Sequence, residues 1–215
     1  MGEVKRVGNQ TVLYTCLMSA CSLLMLIVCC VDWTKTEKRF RIKKIMDAFV
    51  PVLTYAFVVY GHYIYILNKT MVTFWMIVTL GLVVWGIEVW FCVNQLVFFS
   101  KLPGKSIKGK NFVYVLISLF FALLLACTTL NYLIYIIWPN YFDIPNGLNH
   151  AATGFEFLYY TFTLMITYSA GSIEVLHVVA KIIQMVEISL FYILFGLFFA
   201  DLIAKTKSAV GLTQE

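Results

Sequence analysis

The sequence has little charge. Only 13% of its 215 residues are charged, whereas 61% are hydrophobic. Soluble proteins carry about 25% charged residues, so this composition excludes an ordinary soluble domain and indicates an integral membrane protein. The apolar residues run continuously instead of alternating at every second position, which disfavours a lumen-lined β-barrel. We therefore predict an all-α membrane protein.

Sequence motifs of catalysis and transport are also missing. No nucleotide-binding loop, no paired metal-ligand spacing and no Ser-His-Asp set occurs, so we expect neither enzyme activity nor a cofactor. The six cysteines are scattered through apolar runs, which predicts small packing residues. Arginine does not recur at every third position, which disfavours a voltage sensor. The absence of an internal repeat disfavours a transporter built from repeated halves, and nothing in the sequence points to nucleic acid as a partner.

Five apolar runs are long enough to cross a membrane. A bilayer core of about 30 Å needs about 20 apolar residues per helix. The runs lie at approximately 12–31, 45–67, 72–99, 112–138 and 178–204. Lys5 and Arg6 before the first run also fit a secretory signal, but the apolar stretch continues well beyond Cys21 and no polar mature domain follows. We therefore favour a retained helix over a cleaved signal.

Basic residues predict the orientation of these helices. The segment between the first two runs contains Lys35, Lys38, Arg39, Arg41, Lys43 and Lys44. Four lysines follow the third run, and Lys205 and Lys207 follow the fifth. Because positive loops stay in the cytoplasm, we expect the amino terminus outside and the carboxyl terminus inside, in the cell membrane. The six basic residues after the first run also suit anionic lipid head groups as partners.

The link between the fourth and fifth runs contains a short apolar segment at 152–166. This segment is rich in aromatic residues but too short to cross a bilayer, so we predict a re-entrant helix on the outer side. A lysine-rich linker at 100–111 precedes the fourth run. It divides the chain into a three-helix transmembrane region at 1–111 and a second unit at 112–215.

The second unit resembles the pore module of potassium channels, in particular the small bacterial two-helix channels. The resemblance lies in "GFEFLYYTFTLMITYSAGSIEVLHVVAKIIQMVEISLFYILFGLFFADLIAKT" and in the order of its parts. These parts are an outer helix at 112–138, a pore helix at 152–166, a filter-like segment at 167–171 and an inner helix at 178–204. The likeness covers about the last hundred residues and does not explain the first three helices.

The selectivity filter of the family, Thr-Val-Gly-Tyr-Gly-Asp, aligns with Thr167, Tyr168, Ser169, Ala170, Gly171 and Ser172. The resemblance implies that backbone carbonyls from four subunits replace the water around a permeant K⁺ or Na⁺ ion, and hence a homotetramer. Ser169 and Ala170 replace a glycine and an aromatic residue, so these residues do not predict potassium selectivity. Ser172 replaces an acid at the pore entrance, where Glu174 offers negative charge at another depth.

Polar residues of the membrane runs leave alternatives open. Gln184, Glu187 and Phe198 share one helical face, so Glu187 either lines the pore or holds the pore helix. Gly196 is either a gating hinge or a site of close helix packing. An apolar constriction from the nearby phenylalanines is a further gate candidate. Glu88 lacks an obvious partner and is the best candidate for a proton-sensitive contact of the first three helices.

We therefore expect a tetrameric, potassium-channel-like protein that passes monovalent cations passively, without a prediction of potassium selectivity. The alternative is a non-conducting homologue that acts as a membrane scaffold or as a modifying subunit of another channel. A transporter ranks third.

Overall fold

The computed structural model describes residues 37–100, 109–144, 150–167 and 172–211. Most of these residues are helical, as predicted. The helices are α1 (Glu37–Asn68), α2 (Met71–Ser100), α3 (Gly109–Ile137), α4 (His150–Thr167) and α5 (Val178–Gly211). A single 3₁₀ turn at Pro139–Tyr141 leads into strand β1 (Phe142–Asp143), which pairs with strand β2 (Glu174–Val175).

Three of these helices are long and apolar enough to cross a membrane. The stretches are Met71–Val97 in α2, Leu116–Ile137 in α3 and Val178–Leu197 in α5. They coincide with three of the predicted spans, and this finding confirms a membrane protein by length and composition. The predicted span at 45–67 lies within α1, and the span at 12–31 lies outside the described residues.

The connection between α1 and α2 is a tight turn. The Lys69 amide donates to the carbonyl of Tyr65 at 2.6 Å and Lys69 itself takes a left-handed conformation with φ of 49°. Thr70 then caps α2, because its hydroxyl accepts a bond from the Thr73 amide at 3.3 Å. A turn of this length makes α1 and α2 antiparallel neighbours.

The main hydrophobic cluster joins α1, α2, α3 and α4. Its largest fully buried side chains include Tyr132 of α3 and Phe157 and Tyr160 of α4. Gly81 permits the close approach of α2 and α3, because a Cβ at this position would collide with the Leu133 side chain. Helices from both sides of the predicted boundary at 111 thus share one core, and the division into two units stays a prediction.

Helix α5 packs differently from the others. It contributes Ala180 to the main cluster and Phe191 to a second cluster with α2 and α3. Most of its other apolar side chains are exposed, among them Ile182, Met185 and Ile193. The exposed side of α5 therefore faces lipid or another protein.

Candidate functional site

Helix α4 carries the residues that precede the filter-like segment. It has 18 residues and ends at Thr167, close to the predicted pore helix at 152–166. The side of α4 that faces the core is aromatic. The Phe157 ring contacts the rings of Tyr132 and Phe142 edge to face. The short helix is therefore confirmed as a separate element, while its re-entry into the membrane stays a prediction.

The filter-like segment itself falls largely outside the described residues. Tyr168, Ser169, Ala170 and Gly171 are not described, and of Thr167 only the helical backbone is. The description resumes at Ser172, whose hydroxyl donates a hydrogen bond to the Glu156 carboxylate of α4. Glu156 lies eleven positions before Thr167, so this bond brings the end of the segment back alongside the helix.

The two strands hold together the chain on either side of α4. Phe142 pairs with Val175 and Asp143 pairs with Glu174 in an antiparallel register. The Leu176 amide also donates to the Tyr141 carbonyl at 2.9 Å. The ring of His177 stacks on the ring of Tyr141 with a centroid separation of 3.9 Å. These contacts fix the start of α5 to the end of α3.

The pairing of Asp143 with Glu174 places two exposed carboxylates side by side. Like charges opposite each other on paired strands repel and are locally unfavourable. Next to them lies an open cavity of about 640 Å³, lined in part by Ser172, Glu174, Lys181 and Gln184. The predicted pore-entrance residues Ser172 and Glu174 thus border the same cavity as Gln184 of the inner helix.

Glu187 faces α3 of its own chain. Its side chain is 6% exposed, and the Asn131 side-chain amide donates to its Oε2 atom at 2.9 Å. The other carboxylate oxygen, Oε1, has no hydrogen-bond partner among the described residues. The bond to Asn131 is made with α3 and not with the predicted pore helix α4, so both predicted roles of Glu187 stay predictions. Asn131 was not predicted from the sequence, although a lone amide in an apolar run is itself a signal.

The inner half of α5 contains the other predicted gate residues. Gly196 is exposed, and a Cβ built there would meet nothing within 4 Å. Phe198 belongs to α5, but its side chain lies outside the described set. The neighbouring rings of Phe191 and Phe195 lie 4.5 Å apart in a tilted arrangement, and both pack against Phe120 of α3. These two rings therefore pack α5 against α3 of the same chain.

Glu88 has a partner that the sequence did not reveal. It is 1% exposed, and the Thr54 hydroxyl of α1 lies 3.0 Å from its Oε1 atom. The same hydroxyl lies 2.8 Å from the Pro51 carbonyl, so its one proton is shared between the two acceptors. The next residue, Tyr55, donates from its hydroxyl to the Gly154 carbonyl of α4 at 2.6 Å. Neighbouring residues of α1 thus reach α2 on one side and the predicted pore helix on the other.

His62 joins α1 to α3. Its Nδ1 atom lies 2.8 Å from the Tyr132 hydroxyl of α3, and its ring contacts those of Tyr65 and Tyr135. Within the described ranges, no group of three or more His, Cys, Asp or Glu residues is placed to hold a metal ion.

No protein-family model, no curated protein and no solved structure matches this chain. The functional reading therefore depends on the geometry of the described residues and on the sequence.

Proposed function

We propose that four copies of this chain form a potassium-channel-like pore that passes monovalent cations passively. The observation that carries the proposal is the return of the chain at the end of α4, where Ser172 bonds to Glu156. The rise of α4 from Glu156 to Thr167 is about 16 Å, and five peptide steps from Thr167 to Ser172 span at most about 18 Å. An extended segment from Thr167 to Ser172 is therefore long enough to run back along α4 to Glu156, which supports the proposal.

The outer mouth gives a second line of support. Asp143 and Glu174 lie opposite each other on β1 and β2, so a tetramer would present four pairs of carboxylates around its axis. Such a ring raises the local concentration of cations at the entrance. This charge compensates for Ser172, which stands where the family has an acid.

The exposed apolar surface of α5 gives a third line of support. Side chains such as Met185 and Ile193 are more than half exposed in the single chain. In a two-helix channel the inner helices of four copies pack around the axis, and an apolar helix with one face turned to its own chain has a free face for that contact. Glu187 then acts within the subunit, because its carboxylate bonds to Asn131.

The test is an ion-flux measurement on the purified chain in liposomes, with potassium on one side and sodium on the other. We expect passive cation current from wild type and a large loss of current in Thr167→Val, which removes the hydroxyl that the resemblance places at the filter. Thr161→Val is the matched control, because its hydroxyl bonds to the Phe157 carbonyl within the same helix at 2.9 Å. Equal currents in both variants, or a monomeric wild type, would refute the proposal.

The charge at the mouth has its own test. Asp143→Asn combined with Glu174→Gln is expected to lower the current at low salt, and the difference is expected to shrink at high salt because mobile ions screen surface charge. A change that is the same at all salt concentrations contradicts a role in cation attraction.

A non-conducting scaffold or modifying subunit is the second candidate, and Ser169 and Ala170 favour it. The double variant Ser169→Gly, Ala170→Tyr restores the family's residues at these positions. If the chain is a channel, the reversal potential is expected to shift toward that of potassium. If wild type and the double variant are both silent while a known channel conducts in the same lipid, the scaffold is the better assignment.

A further inference from the structure

Glu88 is a buried acid without a countercharge. It lies in the membrane-length stretch Met71–Val97 of α2 and is 1% exposed. Among the described side chains its hydrogen-bond partner is the neutral hydroxyl of Thr54, and its Oε2 atom has none. An unpaired carboxylate in an apolar interior is strongly disfavoured relative to its neutral form. A bound cation or a bound proton would therefore stabilise Glu88 at this site.

Hydroxyl groups from two other helices converge on this carboxyl. Thr54 comes from α1 and Thr129 comes from α3, and both are fully buried. The Thr129 hydroxyl lies near the Glu88 carboxyl, and among the described residues neither its oxygen nor Glu88 Oε2 makes a well-formed hydrogen bond. Because a hydroxyl both donates and accepts, Thr129 can pair with Oε2 in either protonation state. A proton on Oε2 can be donated to Thr129 Oγ1, and this proton removes the buried charge.

The titratable groups around Glu88 cannot supply the missing positive charge. They are Tyr55 from α1, Cys92 from α2 itself and Cys127 from α3. Each of these groups is neutral when protonated and negative when it loses a proton. Within the described residues, four side-chain oxygens from Thr54, Glu88 and Thr129 meet at the site, which is fewer than the roughly six to eight oxygen ligands that Ca²⁺ takes. The proton is the ligand that fits.

Helix α1 connects this acid to α4. Thr54 bonds to Glu88, and the adjacent Tyr55 donates to the Gly154 carbonyl at 2.6 Å. Val59, one turn further along α1, is so close to Gly154 that a Cβ there would lie 2.7 Å from a Val59 methyl carbon. A shift of α1 therefore cannot leave α4 undisturbed.

We propose that Thr54, Glu88 and Thr129 form a proton-binding site, and that α1 transmits its occupancy to the predicted pore helix through Tyr55 and Gly154. With the proton bound, α1, α2 and α3 pack closely around a neutral acid. Loss of the proton leaves an unpaired charge in an apolar interior, which draws in water and loosens α1. Helices α1 and α2 would then regulate the unit that follows them.

The site is tested by infrared spectroscopy on the full chain in lipid nanodiscs. We expect wild type in acidic buffer to show the carbonyl band of a buried protonated carboxylic acid, with a component that Glu88→Gln abolishes. The matched control Glu187→Gln, which changes the other buried acid, is expected to retain that component. If the Glu88 component is absent in acidic buffer, or disappears on adding sodium at constant pH, the proton-binding site is refuted.

The link to α4 is tested by hydrogen exchange of residues 150–167, with each rate divided by the rate of the unfolded chain at the same pH. We expect protection of α4 to fall at least tenfold from acidic to alkaline buffer in wild type and to stay constant in Glu88→Gln. Tyr55→Phe is expected to keep the pH-sensitive infrared band but to lose the pH dependence of hydrogen exchange in α4. Tyr65→Phe changes another tyrosine of α1 and is the control, in which we expect both the band and the pH dependence of exchange to remain.

An unchanged α4 in wild type refutes the transmission. Neither measurement uses ionic current, so failure of this inference is distinct from failure of the proposed pore. Only one further claim, that the proton alters conduction, rests on the proposed function. It is tested by comparing the currents of wild type and Glu88→Gln across the same pH range.

Discussion

The contact between α1 and α4 can be tested by adding one methyl group at Gly154. An alanine Cβ there would lie 2.7 and 2.8 Å from the two methyl carbons of Val59, which is much closer than carbon atoms tolerate. Val59 is branched at Cβ and has little rotational freedom in a helix. We therefore expect the two helices to separate slightly, at a cost of about 1 to 3 kcal/mol for an overpacked contact.

A matched variant removes the effect of helix propensity. Replacing glycine by alanine within a helix stabilises it by about 1 kcal/mol when nothing obstructs the methyl group. Gly86 of α2 is such a position, because a Cβ there would meet nothing within 4 Å. Gly154→Ala is therefore expected to be about 1 to 3 kcal/mol less stable than Gly86→Ala, measured by equilibrium unfolding with an increasing fraction of denaturing detergent.

The double variant Gly154→Ala, Val59→Ala shows whether the clash is the cause. Val59→Ala removes both methyl groups that the new Cβ would meet, so the cost of Gly154→Ala is expected to become much smaller in its presence. Such coupling between two positions is the mark of direct contact. If Gly154→Ala is as stable as Gly86→Ala, or if Val59→Ala does not reduce its cost, the described packing of α1 on α4 is wrong.

Two further predictions concern buried hydrogen bonds and use the same unfolding assay. Asn131→Leu leaves Glu187 without its donor and is expected to cost about 1 to 3 kcal/mol, whereas adding Glu187→Leu is expected to recover most of this loss. A double variant no more stable than Asn131→Leu contradicts the pairing. Tyr132→Phe removes the hydroxyl that bonds to His62 and is expected to cost about 1 kcal/mol. Tyr135→Phe, which alters a neighbouring ring that also contacts His62, is the control and is expected to cost less.

Hydrophobic continuity was sufficient to predict three of the five expected membrane helices. The runs at 72–99, 112–138 and 178–204 coincide with α2, α3 and α5, because an uninterrupted apolar stretch of this length leaves few other structures. The helix ends differ by up to several residues, as in α5, which continues to Gly211. The hydrophobic pattern stops before the polar last turns of a helix, so it does not predict where the helix ends.

The partners across helices were not predicted. The sequence singled out Glu88 and Glu187 as costly acids, but their donors Thr54 and Asn131 lie 34 and 56 positions away. Which side chains meet depends on how each helix rotates about its axis, and a nearly uniform apolar run does not specify that rotation. For the same reason the close helix contacts at Gly81 and Gly154 were not predicted.

The short strands escaped prediction for a different reason. Two residues per strand are too few to show an alternating pattern. Glu156 could have been noticed as an acid within an aromatic segment, but its bond to Ser172 depends on the chain turning back after Thr167. These features arise from long-range geometry that no local pattern encodes.

The pairing of β1 with β2 has a consequence for protein engineering. It closes residues 144–173 into a loop with a narrow base, since Asp143 and Glu174 are partners in register and the rings of Tyr141 and His177 stack just outside them. The segment also contains α4, whose buried residues Phe157, Tyr160 and Leu164 belong to the main hydrophobic cluster. A pore loop of known selectivity transplanted between Asp143 and Glu174 therefore has to keep these core residues, and its exchangeable part is the stretch beyond them.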